Sequence, residues 1–187
     1  MASVDILYEG YVKESEGAEL VRNTVCLVRD NNVIMVVDPG LVESPHILLD
    51  ALKNYGLSAD DITHVYVTHY HMDHIRNVGL FQKAKVLDYM YEYEGEKWSD
   101  HSGDGHKITN DITVMHTPGH TMDDSALLIS TQKGIVAISH VWWFPDRTPV
   151  EDEMAEDQVM LVESRKKVEE SADFIITPHG GIFKVKD

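Results

Sequence analysis

A chain of 187 residues, 43% hydrophobic and 26% charged, can build one substantial core but not two ordinary ones, so a single domain over 1–187 is expected. Thirty-two acidic against 16 basic residues give a formal charge of −16, a field that repels phosphate backbones and argues against nucleic acid as a partner. The start "MASVDILYEG" lacks the pattern of a signal peptide, no run approaches the about 20 apolar residues of a membrane span, and the single Cys26 has no internal disulfide partner; the expectation is a cytoplasmic protein without membrane association.

In chain order, "SVDILYEGYV" and "TVCLV" read as strands, and "NVIMVV" as a third after the "RDNN" turn. In "ESPHILLDALKNYGL", Ser44 suits a helix N-cap, Pro45 the first turn and Gly56 the stop, while Ile47, Leu48, Ala51, Leu52 and Tyr55 make the apolar face. "THVYV" and "KAKVLD" are further strands. Beyond them Tyr89, Tyr91, Tyr93 and Trp98 suggest an extended edge with one aromatic face, serving as a pocket rim or as the contact of a homodimer. "DITVMHT", "SALLIST", "GIVAIS" and "DFIIT" complete the strands, and Val150 to Glu170 reads as one or two helices whose "EDEMAED" start is a solvated, acidic first turn. Strands in two groups with helices between them suggest an α/β sandwich, sheets inside and helices outside.

The stretch "THYHMDHIRN", residues 68–77, follows directly on an apolar strand and crowds three histidines and an aspartate into six positions. His69 and His71 are two apart, so an extended segment points both the same way. Asp73 and His74 follow where the chain would turn into a helix. Two imidazoles for one cation, and a carboxylate with an imidazole for a second, suit Zn²⁺ with one or two ions per chain, or Fe or Mn.

This stretch resembles the His-x-His-x-Asp-His motif of the metallo-β-lactamase superfamily. "VVDPG" (36–40), "HTPGHT" (116–121) and "TPHGG" (177–181) are similar, in the same order, to further segments of that family. "RNVGLF" and "ADFIITPHGGIFKV" narrow the resemblance to a small, stand-alone branch. The resemblance implies a four-layer αββα sandwich with metals in a cleft at one edge of the sheets. It implies a first metal on His69, His71 and His120 and a second on Asp73, His74 and His179. Asp38 would orient a ligand by hydrogen bond. It further implies a hydrolase in which metal-bound hydroxide attacks a small ester, lactone, thioester or phosphodiester, with Asp73 orienting the nucleophile and taking its proton.

One departure stands out. Dinuclear members bridge their metals with an aspartate, and its equivalent after "GIVAIS" is His140. A neutral imidazole offers one lone pair and no charge, so His140 can be a terminal ligand but not a bridge. The alternatives are therefore a mononuclear iron oxidoreductase of the persulfide dioxygenase type, or a metal-binding scaffold without catalysis. Arg76 stands where the family usually has glycine, within reach of an anionic substrate. Trp142 and Trp143 are expected either to wall a small-molecule site beside the metals or to pack under the helix layer.

Overall fold

The computed structural model describes residues 1–185. From the N-terminus, β1 (Ser3–Tyr8) leads into a separate hairpin of β2 (Tyr11–Ser15) and β3 (Ala18–Arg22). Then come β4 (Val25–Asp30), β5 (Val33–Val37), α1 (Pro45–Lys53), β6 (His64–Tyr66), α2 (Met72–Ile75), β7 (Lys85–Leu87), β8 (Tyr91–Glu94) and β9 (Lys97–Asp100). The second half holds β10 (Ile112–His116), β11 (Ser125–Thr131), β12 (Gly134–Ile138), α3 (Gln158–Ser171), β13 (Phe174–Ile176) and β14 (Ile182–Lys184). One sheet has seven strands in the order β1-β4-β5-β6-β7-β8-β9, and the other has five, β10 to β14 in sequence order.

Side-chain alternation creates the layers. Cys26 and Val28 of β4 point inward with Met35, Val37 and Tyr66, meeting Ile112, Val114, Leu127 and Ile129 of the other sheet. Val25 and Leu27 point outward, where Leu48 and Leu52 of α1 cover them. Leu161 and Val168 of α3 cover Ala126, Ala137 and Ile175 on the far side of the second sheet. The result is the expected αββα sandwich. No helix of the described residues is long and apolar enough to cross a membrane.

Several elements differ from the sequence reading. "SVDILYEGYV" breaks at Glu9–Gly10 into two strands, and β3 and β14 were not anticipated. Their short segments, "AELVR" and "IFK", carry too little alternation to stand out. Tyr55 lies past the end of α1 and is exposed, leaving Leu48 and Leu52 as the buried face. The helix expected over Val150–Glu170 begins only at Gln158, where the Asp157 side chain caps the N–H groups of Val159 and Met160.

Topology positions the site. Strands β5, β6 and β7 are parallel, as are β12 and β13. Asp38, His69, Asp88, His140 and His179 all follow the carboxyl ends of these strands, the edge where α/β sheets commonly bind ligands. The two rims are stitched together. Ser125 N–H donates to Thr68 O at 3.0 Å, Tyr66 Oη and Ser125 Oγ lie 2.8 Å apart, and the Thr24 hydroxyl donates to Gly180 O at 2.7 Å.

Candidate metal centre

Six histidines gather on this rim. His69, His74, His120, His140 and His179 are buried and His71 is partly exposed. Potential ligand atoms of His69, His71 and His120 lie within 4.8 Å of one another, as do those of His69, His74 and His140. Each comes from a different structural device. His71 precedes α2, whose first turn swings Asp73 and His74 back toward the strand end. His120 sits in a turn braced by α3: Gly119 O accepts from Asp157 N–H at 3.0 Å and His120 O from Glu156 N–H at 3.2 Å. A Cβ on Gly119, whose φ is +140°, would lie 2.3 Å from the Leu161 nitrogen, so only glycine admits the helix this close.

Hydrogen bonds fix which ring nitrogen faces inward. The carboxylate of Asp38 accepts from the Thr68 N–H and hydroxyl, both at 2.8 Å, and from His74 Nδ1 at 2.9 Å. With its proton committed to Asp38, the Thr68 hydroxyl accepts from His69 Nδ1 at 3.2 Å. His120 Nδ1 donates to Asp152 at 2.7 Å and His179 Nδ1 to Arg22 O at 3.0 Å. Four imidazoles thereby turn Nε2 away from these partners; those of His69 and His74 have no hydrogen-bond partner among the described residues, while that of His120 meets His71 Nδ1 at 3.0 Å. Burial and the neighbouring imidazoles push His69 and His140 well below the ordinary histidine pKa, keeping them neutral. Burial also lowers His71 and His179. Burial opposes protonation of His74 too, but the charge and hydrogen bond of Asp38, with the charge of Asp73, outweigh it and raise its pKa.

The donor set fits a divalent cation. His69 Nε2, His74 Nε2 and His140 Nδ1 are buried without any hydrogen-bond partner among the described residues, and each desolvated lone pair costs about 1–3 kcal/mol if nothing binds it. His120 Nε2 and His71 Nδ1 lie 3.0 Å apart, near the separation of about 3.3 Å for two nitrogens on one tetrahedral zinc ion. His69 belongs to both groups and has one free lone pair. The groups therefore cannot both be completed by three nitrogens at once.

Residues 19–160 match the family model described as Metallo-beta-lactamase superfamily. The chain belongs to this superfamily. It is 30% identical to Metallo-beta-lactamase domain-containing protein 1 of Xenopus laevis over 98% of its own length and 82% of that relative's. Against the human protein of the same name the identity is 32%, and the chain spans 59% of that relative. Among solved structures, a Thermotoga maritima chain classed with the metallo-beta-lactamases superposes with a TM-score of 0.74 at 23% identity, covering 98% of this chain and 99% of that one. An N-acyl homoserine lactone hydrolase with product bound at its catalytic metal center gives 0.67 at 16% identity, covering 90% and 87%. The Xenopus laevis and human relatives support a small member of the superfamily, as "RNVGLF" and "ADFIITPHGGIFKV" suggested.

Within the superfamily fold, the remaining candidates separate. Asp73 is partly exposed, with Oδ2 3.5 Å from His74 Nε2. His179 stands at the edge of the cluster, its ring 5.7 Å from that of His140, and belongs to neither compact group. Arg76 caps the end of α2 and is exposed. Trp143 lies beside the histidines, 5.8 Å from the His179 ring, and donates its indole N–H to Asp152 at 3.0 Å. Trp142 does not wall the site: it packs in the α3 layer, with the Arg165 guanidinium 3.8 Å over its ring.

Asp152 is the residue that sequence reasoning missed. The acidic "EDEMAED" run, expected to be solvated, hides one carboxylate that is 5% exposed and holds His120. Burial alone would raise its pKa, but the hydrogen bond and charge of His120 bring it below the usual carboxylate value. Nothing in the run distinguishes Asp152 from its neighbours, because its burial comes from a loop folding across the sheet.

Proposed function

We propose that this chain is a metal-dependent hydrolase of a small ester, lactone, thioester or phosphodiester, with zinc as its metal. The observation that carries the reading is the convergence of buried imidazole nitrogens on His69, His74 and His140 that have no hydrogen-bond partner among the described residues. His69, His71 and His120 would hold one ion. His74, His140 and His179, with Asp73, are left for a second, more weakly held one. A divalent ion there supplies Lewis acidity toward a carbonyl or phosphoryl oxygen and acidifies bound water to a pKa of about 7. Asp73, at the open side, orients water and accepts its proton. Asp38 and Asp152 hold the rings of His74 and His120 in their donating tautomers. An N-acyl homoserine lactonase from a Bacillus species, 27% identical over 51% of this chain, supports including lactones among the candidate substrates.

Elemental analysis of purified protein, with turnover assays across such substrates before and after chelation, tests the reading. Zinc at about one to two equivalents and chelator-sensitive hydrolysis are expected; no turnover on any substrate overturns it. His140→Asp supplies a carboxylate able to bridge and should raise occupancy toward two ions. Unchanged stoichiometry would place His140 outside the inter-metal position.

His140 itself favours a second reading, a one-ion iron centre with oxidoreductase chemistry, or a metal-binding scaffold without hydrolysis. Iron at one equivalent with oxygen consumption would select the iron centre, and a bound ion without turnover the scaffold.

A further inference from the structure

We propose that the aromatic cavity beside the metal loop is the subsite for an aromatic substituent of the substrate that carries no negative charge. This rests on the hydrolase reading of the adjacent centre. The cavity measures about 360 Å³, within the range of about 300–1,000 Å³ typical of small-molecule pockets. It follows the carboxyl ends of β6 and β7 and is continuous in sequence with two ligand-bearing loops. Tyr70, between His69 and His71, forms one wall, and Asp123, shortly after His120, forms another. Val67, Thr68 and Tyr70 set the cavity beside the strand end that carries His69.

The walls are aromatic and prearranged. Asp88, 5% exposed, accepts hydrogen bonds from the Tyr70 and Tyr93 hydroxyls and from the N–H groups of Met90 at 2.8 Å and Tyr91 at 2.7 Å. These bonds anchor the tyrosine rings before any ligand arrives, which lowers the ordering cost of binding. Trp98 packs edge-on against Tyr91 at 5.1 Å and tilted against Tyr93 at 5.7 Å, yet remains 64% exposed. An apolar face of that size gains from being covered. The chemistry of the lining sets the sign of the ligand. Asp88 and Asp123 contribute carboxylates and, among the described residues, no lysine or arginine lines the cavity, so an anionic group is repelled while neutral or cationic aromatics meet ring faces.

Nitrogen-15 NMR titrations of the purified protein with benzyl alcohol, benzyltrimethylammonium and benzenesulfonate test this. The first two should shift the Trp98 indole and Tyr70 amide signals saturably, and benzenesulfonate should not. Trp98→Ala, at an exposed position, should weaken the shifts about tenfold and raise KM for phenylacetate esters similarly. Asp123→Lys, also exposed, should admit benzenesulfonate. Equal shifts with all three probes, no saturable shift, or a Trp98→Ala protein whose only change is from dimer to monomer would overturn the subsite. Saturable, charge-selective binding without turnover of any substrate would instead sink the hydrolase reading and leave the cavity standing.

Discussion

Asp152 and Asp38 do the same work from opposite sheets. Each is buried, and each accepts a hydrogen bond from the Nδ1–H of one histidine so that the other nitrogen faces inward. Such outer partners commonly set metal affinity by a factor of about 10–100. Asp152→Asn keeps the volume but offers an amide that can donate to the ring and disturb its tautomer. Zinc affinity of this variant, read by competition with a chromophoric chelator, should fall about 10–100-fold; unchanged affinity would show that His120 needs no such partner. Asp38 was legible only through the resemblance of "VVDPG" to a segment of the superfamily. Asp152 was not, because its role depends on a contact with a residue far away in the chain.

The elements that hold the loops are as consequential as the ligands. Arg165 of α3 is 5% exposed and donates to the carbonyls of Val141 at 2.7 Å, Pro149 at 2.8 Å and Val150 at 2.5 Å. These carbonyls belong to the loop that begins at His140 and ends at Asp152, so one guanidinium fixes both ends of the segment serving the two stacked rings His120 and His140. Arg165→Met retains an apolar stem but strands three carbonyls, and should cost about 3 kcal/mol in urea unfolding. Arg165→Lys should recover only part of it, since one ammonium group lacks the planar fork. Equal stability of all three proteins would refute the clamp. At Gly119, where a side chain would strike the α3 backbone, Gly119→Ala should destabilise the protein by at least about 1 kcal/mol and lower metal affinity with it.

For the whole molecule, the histidine cluster ties stability to pH. In the folded, metal-free chain His69 and His140 bind protons far less readily than in the unfolded chain, and His71 and His179 also bind them less readily. As pH falls through the unfolded value of about 6.5, the unfolded chain takes up protons that the folded chain refuses, and stability is lost. His74 runs the other way: its raised pKa contributes stability at low pH that disappears as pH rises through the folded value. Four against one, the net effect is loss on acidification. The urea midpoint of chelator-treated protein should therefore fall between about pH 7 and 5.5, and saturating zinc should raise it at pH 7 by occupying the bare nitrogens. A midpoint that stays flat on acidification would mean the imidazoles are solvated rather than buried.

By itself the sequence determined the apolar alternation that makes two sheets, the capped helix after Ser44, and the dense ligand set of "THYHMDH", because periodicity and local spacing are properties of neighbouring residues. Only the tertiary structure decided which residues from distant segments meet. It brought His140 within 4.8 Å of His69 and His74 while leaving His179 at the margin. It turned Trp142 into the helix layer, buried one acid of an acidic run, and opened an aromatic cavity beside the loop. The physical reason is common to all of these: a side chain's environment is set by packing between segments far apart in the chain, and no local pattern encodes the distance across which they close.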